Sequence, residues 1–293
     1  MLALGAVLKR RLLPDDAVWA GIERLIFWVL LPSLLVAAIG SVRLGEVPIF
    51  GMMAAIWTAL AIGALASLAI SRAFGQSHAA MTSVLMGGIR FNNLIGFAIA
   101  GALFGLPGIA FGAVSTGLIV PFVQFVSSAA FASEKGFRPL PVLRGILLNP
   151  LILACIVGFA VAGLGGLPSG VKPLMEALGR ASVALGLLAV GAALSVEAMA
   201  DRLPLQLVTA ALKLVVVPAM TLVLCVCLGL DGLSTAMAVL FMALPTAATS
   251  YVMARAMGGD APLMAAITST EHFLAVISLP LWLLVVRMVT GLG

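Results

Sequence analysis

Arg90, Asn92 and Asn93 follow a Gly87-Gly88 pair inside an otherwise apolar run, HAAMTSVLMGGIRFNNLIGFAIAGALFG. A charge at the middle of a membrane helix costs roughly 2.5–3.5 kcal/mol on insertion scales, so something must compensate Arg90. Gly87 and Gly88 permit an unwound backbone, and backbone groups freed at that depth are tolerated only against protein or a cavity. The half-helix that restarts after the break would present a partly positive N-terminus. Arg90 adds a full charge and the two asparagines add amide donors and acceptors, a set suited to an anion. A second run, LSTAMAVLFMALPTAATSYVMARAMG, holds the matching piece: Pro245 removes one backbone bond, and Thr246, Thr249 and Ser250 place hydroxyls beside the gap. If the two breaks meet, Arg90, Asn92, Asn93, Pro245, Thr246 and Ser250 form one site. The competing reading is a Pro245 kink in a packed helix, with the asparagines tying neighbours together.

Other polar residues in apolar runs are candidates of a different kind. Glu271-His272 puts a carboxylate beside an imidazole, a pair able to carry a coupling proton, or a solvated pair if it sits at the interface. Lys213, five residues before Pro218, either counters a buried acid or snorkels to the headgroups, and snorkelling is the expected outcome. Asn149-Pro150 would kink or cap the span it opens, with Asn149 a candidate for lining the cavity. Cys155, Cys225 and Cys227 all lie in apolar runs; residues two apart on a helix point about 200° apart, so Cys225 and Cys227 cannot share a metal. No metal or cofactor is expected.

The elements that must position these residues are membrane helices. Of 293 residues, 63% are apolar and 9% charged, too little charge to wet a soluble surface. That balance excludes a disordered chain, a nucleic-acid-binding domain and a disulfide scaffold, and its even spread excludes a single anchor on a soluble head. Apolar runs bounded by charge, Pro and Gly predict spans at 19–39, 47–70, 79–103, 107–131, 145–166, 174–195, 205–228, 234–257 and 264–288. Ahead of them, MLALGAVL precedes Lys9, Arg10 and Arg11; its charges follow the apolar stretch, unlike those of a signal peptide.

An internal repeat orders the spans. Leu13-Pro14 with Arg24 is echoed by Leu167-Pro168 with Arg180, Pro48 by Pro204, and the break at 87–93 by 243–249, a period of about 156 residues. The same offset places the first half of span 1 upstream of Met1, so the start is either truncated or a short first helix. Chance alignment of prolines is the competing explanation. The expected fold is all-α and polytopic, ten helices in two inverted five-helix repeats: residues 1–131, a linker at 132–144, and residues 145–293. An odd number of spans inverts the second copy, and helices 4 and 9 would cross at the midplane.

Nine basic residues fall in loops on one side (Lys9, Arg10, Arg11, Arg72, Lys135, Arg138, Arg144, Arg202, Arg255) and three on the other (Arg43, Lys172, Arg287). The positive-inside rule puts the nine in the cytoplasm and both termini outside. Arg24 and Arg180, near span ends, are expected to be orientation anchors. The net charge of +5 needs no nucleic-acid partner. Gly101 and Gly105 form a small-xxx-small pair suited to helix packing within one chain or in a homodimer.

At this point four stretches match a known pattern: RFNNLIGFAIAGALFGLPGIA at 90–110, LLNPLILACIVGFAVAGLGGLP at 147–168, GLLAVGAAL at 186–194 and LPTAATSYVMARAMGGDAPLMAAI at 244–267. Together and in order they resemble the auxin efflux carrier family, in a bacterial member. The resemblance implies ten helices, a substrate site where discontinuous helices 4 and 9 cross, and transport of small organic anions, auxin-like or mono- or dicarboxylate, in the inner (plasma) membrane. Four features depart from the family: Asn93 and Leu94 stand for a hydroxyl-bearing and an aromatic residue, Gln124 for an asparagine, Glu271-His272 for an uncharged polar pair, and the first helix is short. Gln124 joins the candidate substrate contacts on this basis. The alternatives are a sodium-coupled carrier of related fold and a channel or structural subunit. An intramembrane enzyme is not expected, because no GxSxG motif occurs and His78 and His272 are the only histidines.

Overall fold

Long apolar runs can satisfy their backbone in lipid only through hydrogen bonds within the segment. In the computed structural model, which describes residues 1–133, 139–194, 197–200 and 202–292, the described residues are helical with no strand among them. Lys135 and Arg138 of the linker lie outside the described residues. Among the described residues, six stretches are long and apolar enough to cross a membrane: Asp16–Gly40, Ile49–Ala73, His78–Ser133, Lys172–Ala193, Leu203–Cys227 and Ala261–Thr290. Pro150–Gly163 and Gly232–Ala243 are apolar but shorter. Large apolar side chains such as Phe50, Leu106, Leu164 and Met288 face outward, while Gln206, Thr209, Lys213, Thr246 and Glu271 are buried. That inversion of the soluble pattern is the one lipid requires.

The helices are α1 (Leu2–Arg11), α2 (Asp16–Leu25), α3 (Leu31–Gly40), α4 (Ile49–Ala73), α5 (His78–Ile89), α6 (Asn93–Ser133), α7 (Pro139–Leu147), α8 (Pro150–Gly163), α9 (Lys172–Ala193), α10 (Leu203–Ala211), α11 (Val217–Cys227), α12 (Gly232–Ala243), α13 (Thr249–Met257) and α14 (Ala261–Thr290). They form two compact units.

The first unit takes residues 1–47, 94–120 and 147–194. Glycines set its packing, since without a hydrophobic driving force helices in lipid gain by close approach. Gly5 of α1 lies on the backbone carbonyl of Leu188 in α9, and Gly191 of α9 lies on that of Leu2. Gly158 of α8 meets Ile39, and Gly40 of α3 meets Val161 in return. The ten-residue α1 is thus held backbone to backbone along α9. Within α6, Gly105 adopts φ +61° and ψ −146° and bends the helix, and Gly101 faces Ile109 beyond the bend. Of the Gly101 and Gly105 pair, Gly105 makes a turn that a side chain would strain. Arg24 and Arg180 are both exposed at the unit's surface.

The second unit takes residues 48–93, 121–146 and 195–293 and holds α4, α5 and α10 to α14. Here α14 packs on α5, α10, α12 and α13, and α4 packs on α5 and α11. Arg202, next to α10, pairs with Asp260, the N-cap of α14, at 2.8 Å. Cys225 is buried and Cys227 exposed, as their spacing requires.

Two spans contain a π turn, at Ile26–Leu30 and Leu212–Val216, and each precedes a proline, Pro32 or Pro218. Proline has no N–H and its ring clashes with the carbonyl four residues back, which the wider turn relieves. The carbonyl that Pro218 cannot satisfy is that of Leu214, and the Trp282 indole N–H donates to it at 2.7 Å.

Candidate functional site

The break after α5 is three residues long, Arg90 to Asn92, with Arg90 extended at φ −77° and ψ 162°. Gly87 and Gly88 stay helical, which corrects the expectation that they unwind. A Cβ on Gly88 would overlap the Ser67 hydroxyl, and one on Gly87 would come within 2.7 Å of Ile267 and 2.9 Å of Thr209. Their role is to let α5 lie against α4, α10 and α14. The helix breaks instead at the arginine and asparagine, whose backbone groups find partners in the second break.

That second break runs from Leu244 to Ala248, between α12 and α13. The Asn92 backbone N–H donates to the Pro245 carbonyl at 2.8 Å, and the Thr246 hydroxyl donates to the Gly87 carbonyl at 3.0 Å, with the Arg90 carbonyl at 3.4 Å. These bonds supply donors and acceptors to groups that α5 and α12 leave unpaired at their ends. Arg90 Nε donates to Ser250 Oγ at 2.8 Å, and its Nη1 reaches Met253 Sδ at 3.2 Å. Thr246 and Ser250 are fully buried, Asn92 and Asn93 are buried, and Arg90, Ala247, Ala248 and Thr249 are partly exposed. Arg90 makes no ion pair with a carboxylate among the described residues. The guanidinium is thus held by a hydroxyl and a thioether beside the start of α13, whose Ala248 N-cap contributes no side-chain bond.

Glu271 and His272 sit on α14 facing these breaks, and both are buried. Glu271 Oε2 accepts from the Thr246 N–H at 2.8 Å, while its Oε1 is buried with no hydrogen-bond partner among the described residues. His272 Nδ1 lies 2.7 Å from the Thr268 carbonyl and must carry the proton there. Its Nε2 then accepts from Asn92 Nδ2 at 3.4 Å, so the ring of a neutral His272 joins α14 to the first break.

Lys213 corrects the snorkelling expectation. It lies in the π turn, is fully buried, and donates to the Met242 carbonyl at 3.0 Å. A helix that spacing alone would turn outward is locally rewound by the π turn, and its partner lies 29 residues on in sequence. The sequence signal was a cation in mid-span five residues before a proline.

The remaining candidates are engaged elsewhere. The Asn149 side chain caps α8, accepting from the Leu151 N–H at 2.9 Å within the first unit. Gln124 donates to Ser128 Oγ at 3.3 Å, one turn further along α6. Asn93 opens α6, and its side chain makes no hydrogen bond among the described residues. No group of His, Cys, Asp and Glu among the described residues is arranged to hold a metal.

Residues 139–283 match a family model described as membrane transport protein. That stretch covers α12, α13, Lys213, Glu271 and His272, and ends before the C-terminal turn of α14. No curated protein matches the chain.

Proposed function

Because this chain belongs to the auxin efflux carrier family of membrane transport proteins, we propose that it is a secondary carrier of small organic anions, auxin-like or mono- or dicarboxylate, working by alternating access. The observation that carries this reading is Arg90: a partly exposed guanidinium at two interlocked helix breaks, bonded among the described residues to Ser250 and Met253. A carboxylate is a far stronger acceptor than a thioether, so an anionic ligand would displace Met253 from Nη1. Asn92, Asn93 and the start of α13 would supply further donors, with Thr246 and Ser250 holding the frame. Glu271 and His272 are the groups through which a proton could be coupled.

The finer architecture belongs to the same proposal. Four helix starts recur at nearly one offset: Asp16 and Lys172, Ile49 and Leu203, His78 and Gly232, Asn93 and Thr249, 154 to 156 residues apart. This regularity supports ten helices in two inverted repeats, with one bundle rocking against the other during transport; the nine basic residues in loops of one side support a plasma-membrane carrier with both termini outside. The regularity also favours a carrier over an enzyme or a static subunit.

Counterflow tests the reading. Liposomes containing the purified protein and loaded with an unlabelled mono- or dicarboxylate should transiently accumulate the labelled acid above equilibrium. A channel only dissipates the gradient, so label that never overshoots for any acid in the panel rules the carrier out.

A further inference from the structure

A guanidinium is a fork of N–H donors, and a thioether sulfur is a weak acceptor for any of them. The Arg90 fork is held by one face of α13: Nε donates to Ser250 Oγ at 2.8 Å and Nη1 to Met253 Sδ at 3.2 Å. Ser250 and Met253 are three residues apart on that helix, which makes them neighbours on its surface. The two contacts differ in what a ligand can do to them. Ser250 is fully buried and belongs to the frame, whereas Met253 is partly exposed and packs against an apolar cluster that includes Ala80, Val84 and Leu263. Glutamine and glutamate have about the same length as methionine and would hold the fork far more firmly. One edge of the anion-binding group is thus occupied by a poor acceptor.

We propose that Met253 is an internal competitor for the anion, so that the acceptor strength of residue 253 sets carboxylate affinity and oxidation of its thioether by a hydroperoxide shuts the site. This rests on the anion-carrier reading above. Linkage gives the direction: a bond made only in the empty protein is lost when the ligand arrives, and its strength is subtracted from that of binding. A thioether subtracts little. A sulfoxide oxygen is a strong acceptor and forms a charge-assisted bond with a guanidinium. In the oxidation the sulfur lone pair takes the terminal oxygen of the hydroperoxide and the O–O bond breaks. The proton of that oxygen passes to the departing one, which leaves as water or an alcohol; the sulfur is oxidised by two electrons and the peroxide is reduced by two. Met86, Met242 and Met264 of the same unit are fully buried, whereas Met253 is open to a small oxidant.

The test measures equilibrium binding of a mono- and dicarboxylate panel to purified wild type, Met253→Leu and Met253→Gln, and to the same substitutions combined with Arg90→Ala. Leucine keeps the apolar packing and removes the acceptor; glutamine keeps the length and strengthens it. Met253→Leu should bind about fivefold tighter than wild type and Met253→Gln about fivefold weaker, the factor one ordinary hydrogen bond is worth. Neither change should alter affinity once Arg90 is alanine, a coupling that a packing role for Met253 would not produce. Millimolar hydrogen peroxide, with peptide mass spectrometry reading the oxygen on residue 253, should weaken wild-type binding about as far as Met253→Gln and leave Met253→Leu as tight as before. The exposed Met257 and Met288 are oxidised in both proteins and cancel in the comparison. Equal affinities in the three proteins, or a weaker Met253→Leu, while Arg90→Ala is impaired, overturn the competitor and leave the anion site standing. A wild type that resists oxidation at 253, or carries the sulfoxide and binds as before, overturns the redox switch. Wild type and Met253→Leu that both bind no acid in the panel remove the anion reading and the competitor with it.

Discussion

Arg90→Ala should lower affinity for small carboxylates by at least about 30-fold, with counterflow falling in proportion. Removing one partner from a desolvated charge–charge contact typically costs about 2–5 kcal/mol, and 1.4 kcal/mol is a factor of ten. The loss should reach the upper part of that range, because among the described residues the other buried cation near the breaks, Lys213, is turned to Met242. Arg90→Lys should recover only part of the affinity. The ammonium cannot hold Ser250 through one edge and offer a second edge to the ligand, as the guanidinium fork does. Equilibrium binding of a mono- and a dicarboxylate panel, followed by initial counterflow rates, measures both variants. Wild-type affinity in Arg90→Ala would mean that the anion is recognised by backbone and amides alone.

Glu271→Ala is expected to be the most destabilising single change near the site. It takes the acceptor from the buried Thr246 N–H. Leaving a buried donor of a charge-assisted hydrogen bond unsatisfied costs about 1–3 kcal/mol or more. Glu271→Gln should lose less, since an amide oxygen still accepts from Thr246. Detergent melting curves of the two variants beside wild type decide the order: alanine lowest, glutamine between. An alanine variant as stable as wild type would show that Glu271 braces nothing.

Much of the scaffold was legible because lipid imposes one rule on every span. The run predicted at 19–39 is the helical stretch Asp16–Gly40, that at 205–228 is Leu203–Cys227, and that at 264–288 lies within Ala261–Thr290. Pro245 marked the second break correctly, since a missing N–H is a local fact of the sequence. The first break, Arg90 to Asn92, lies within the predicted 87–93 but not at its glycines. Glycine signals both unwinding and close approach, and only the position of Ser67 on α4 decides that Gly88 serves approach. The π turns went unread although Pro32 and Pro218 announced them, because apolar periodicity over a whole span hides one extra residue in a turn. Lys213 and Glu271 were the hardest. Whether a mid-span charge snorkels or is buried depends on partners 25 to 29 positions away, Met242 for Lys213 and Thr246 for Glu271, and helical spacing carries no information about them. Asn149 and Gln124 illustrate the opposite error: polar residues at the right depth whose amides are committed to their own helices.

The positions of Lys213 and Glu271 also give the second break a polarity. Lys213 meets the carbonyl end of α12, and Glu271 meets an N–H at the approach to α13, so each charge faces the backbone group of opposite sign. An ordinary ion pair is symmetric under exchange, and swapping its partners restores most of what either single reversal loses. This one is not. In the Lys213→Glu/Glu271→Lys protein a carboxylate would face a carbonyl and an ammonium would face an N–H, both repulsive, so the swap should rescue neither single reversal in melting temperature. The direction in which the chain runs through the break is thereby written into two side chains.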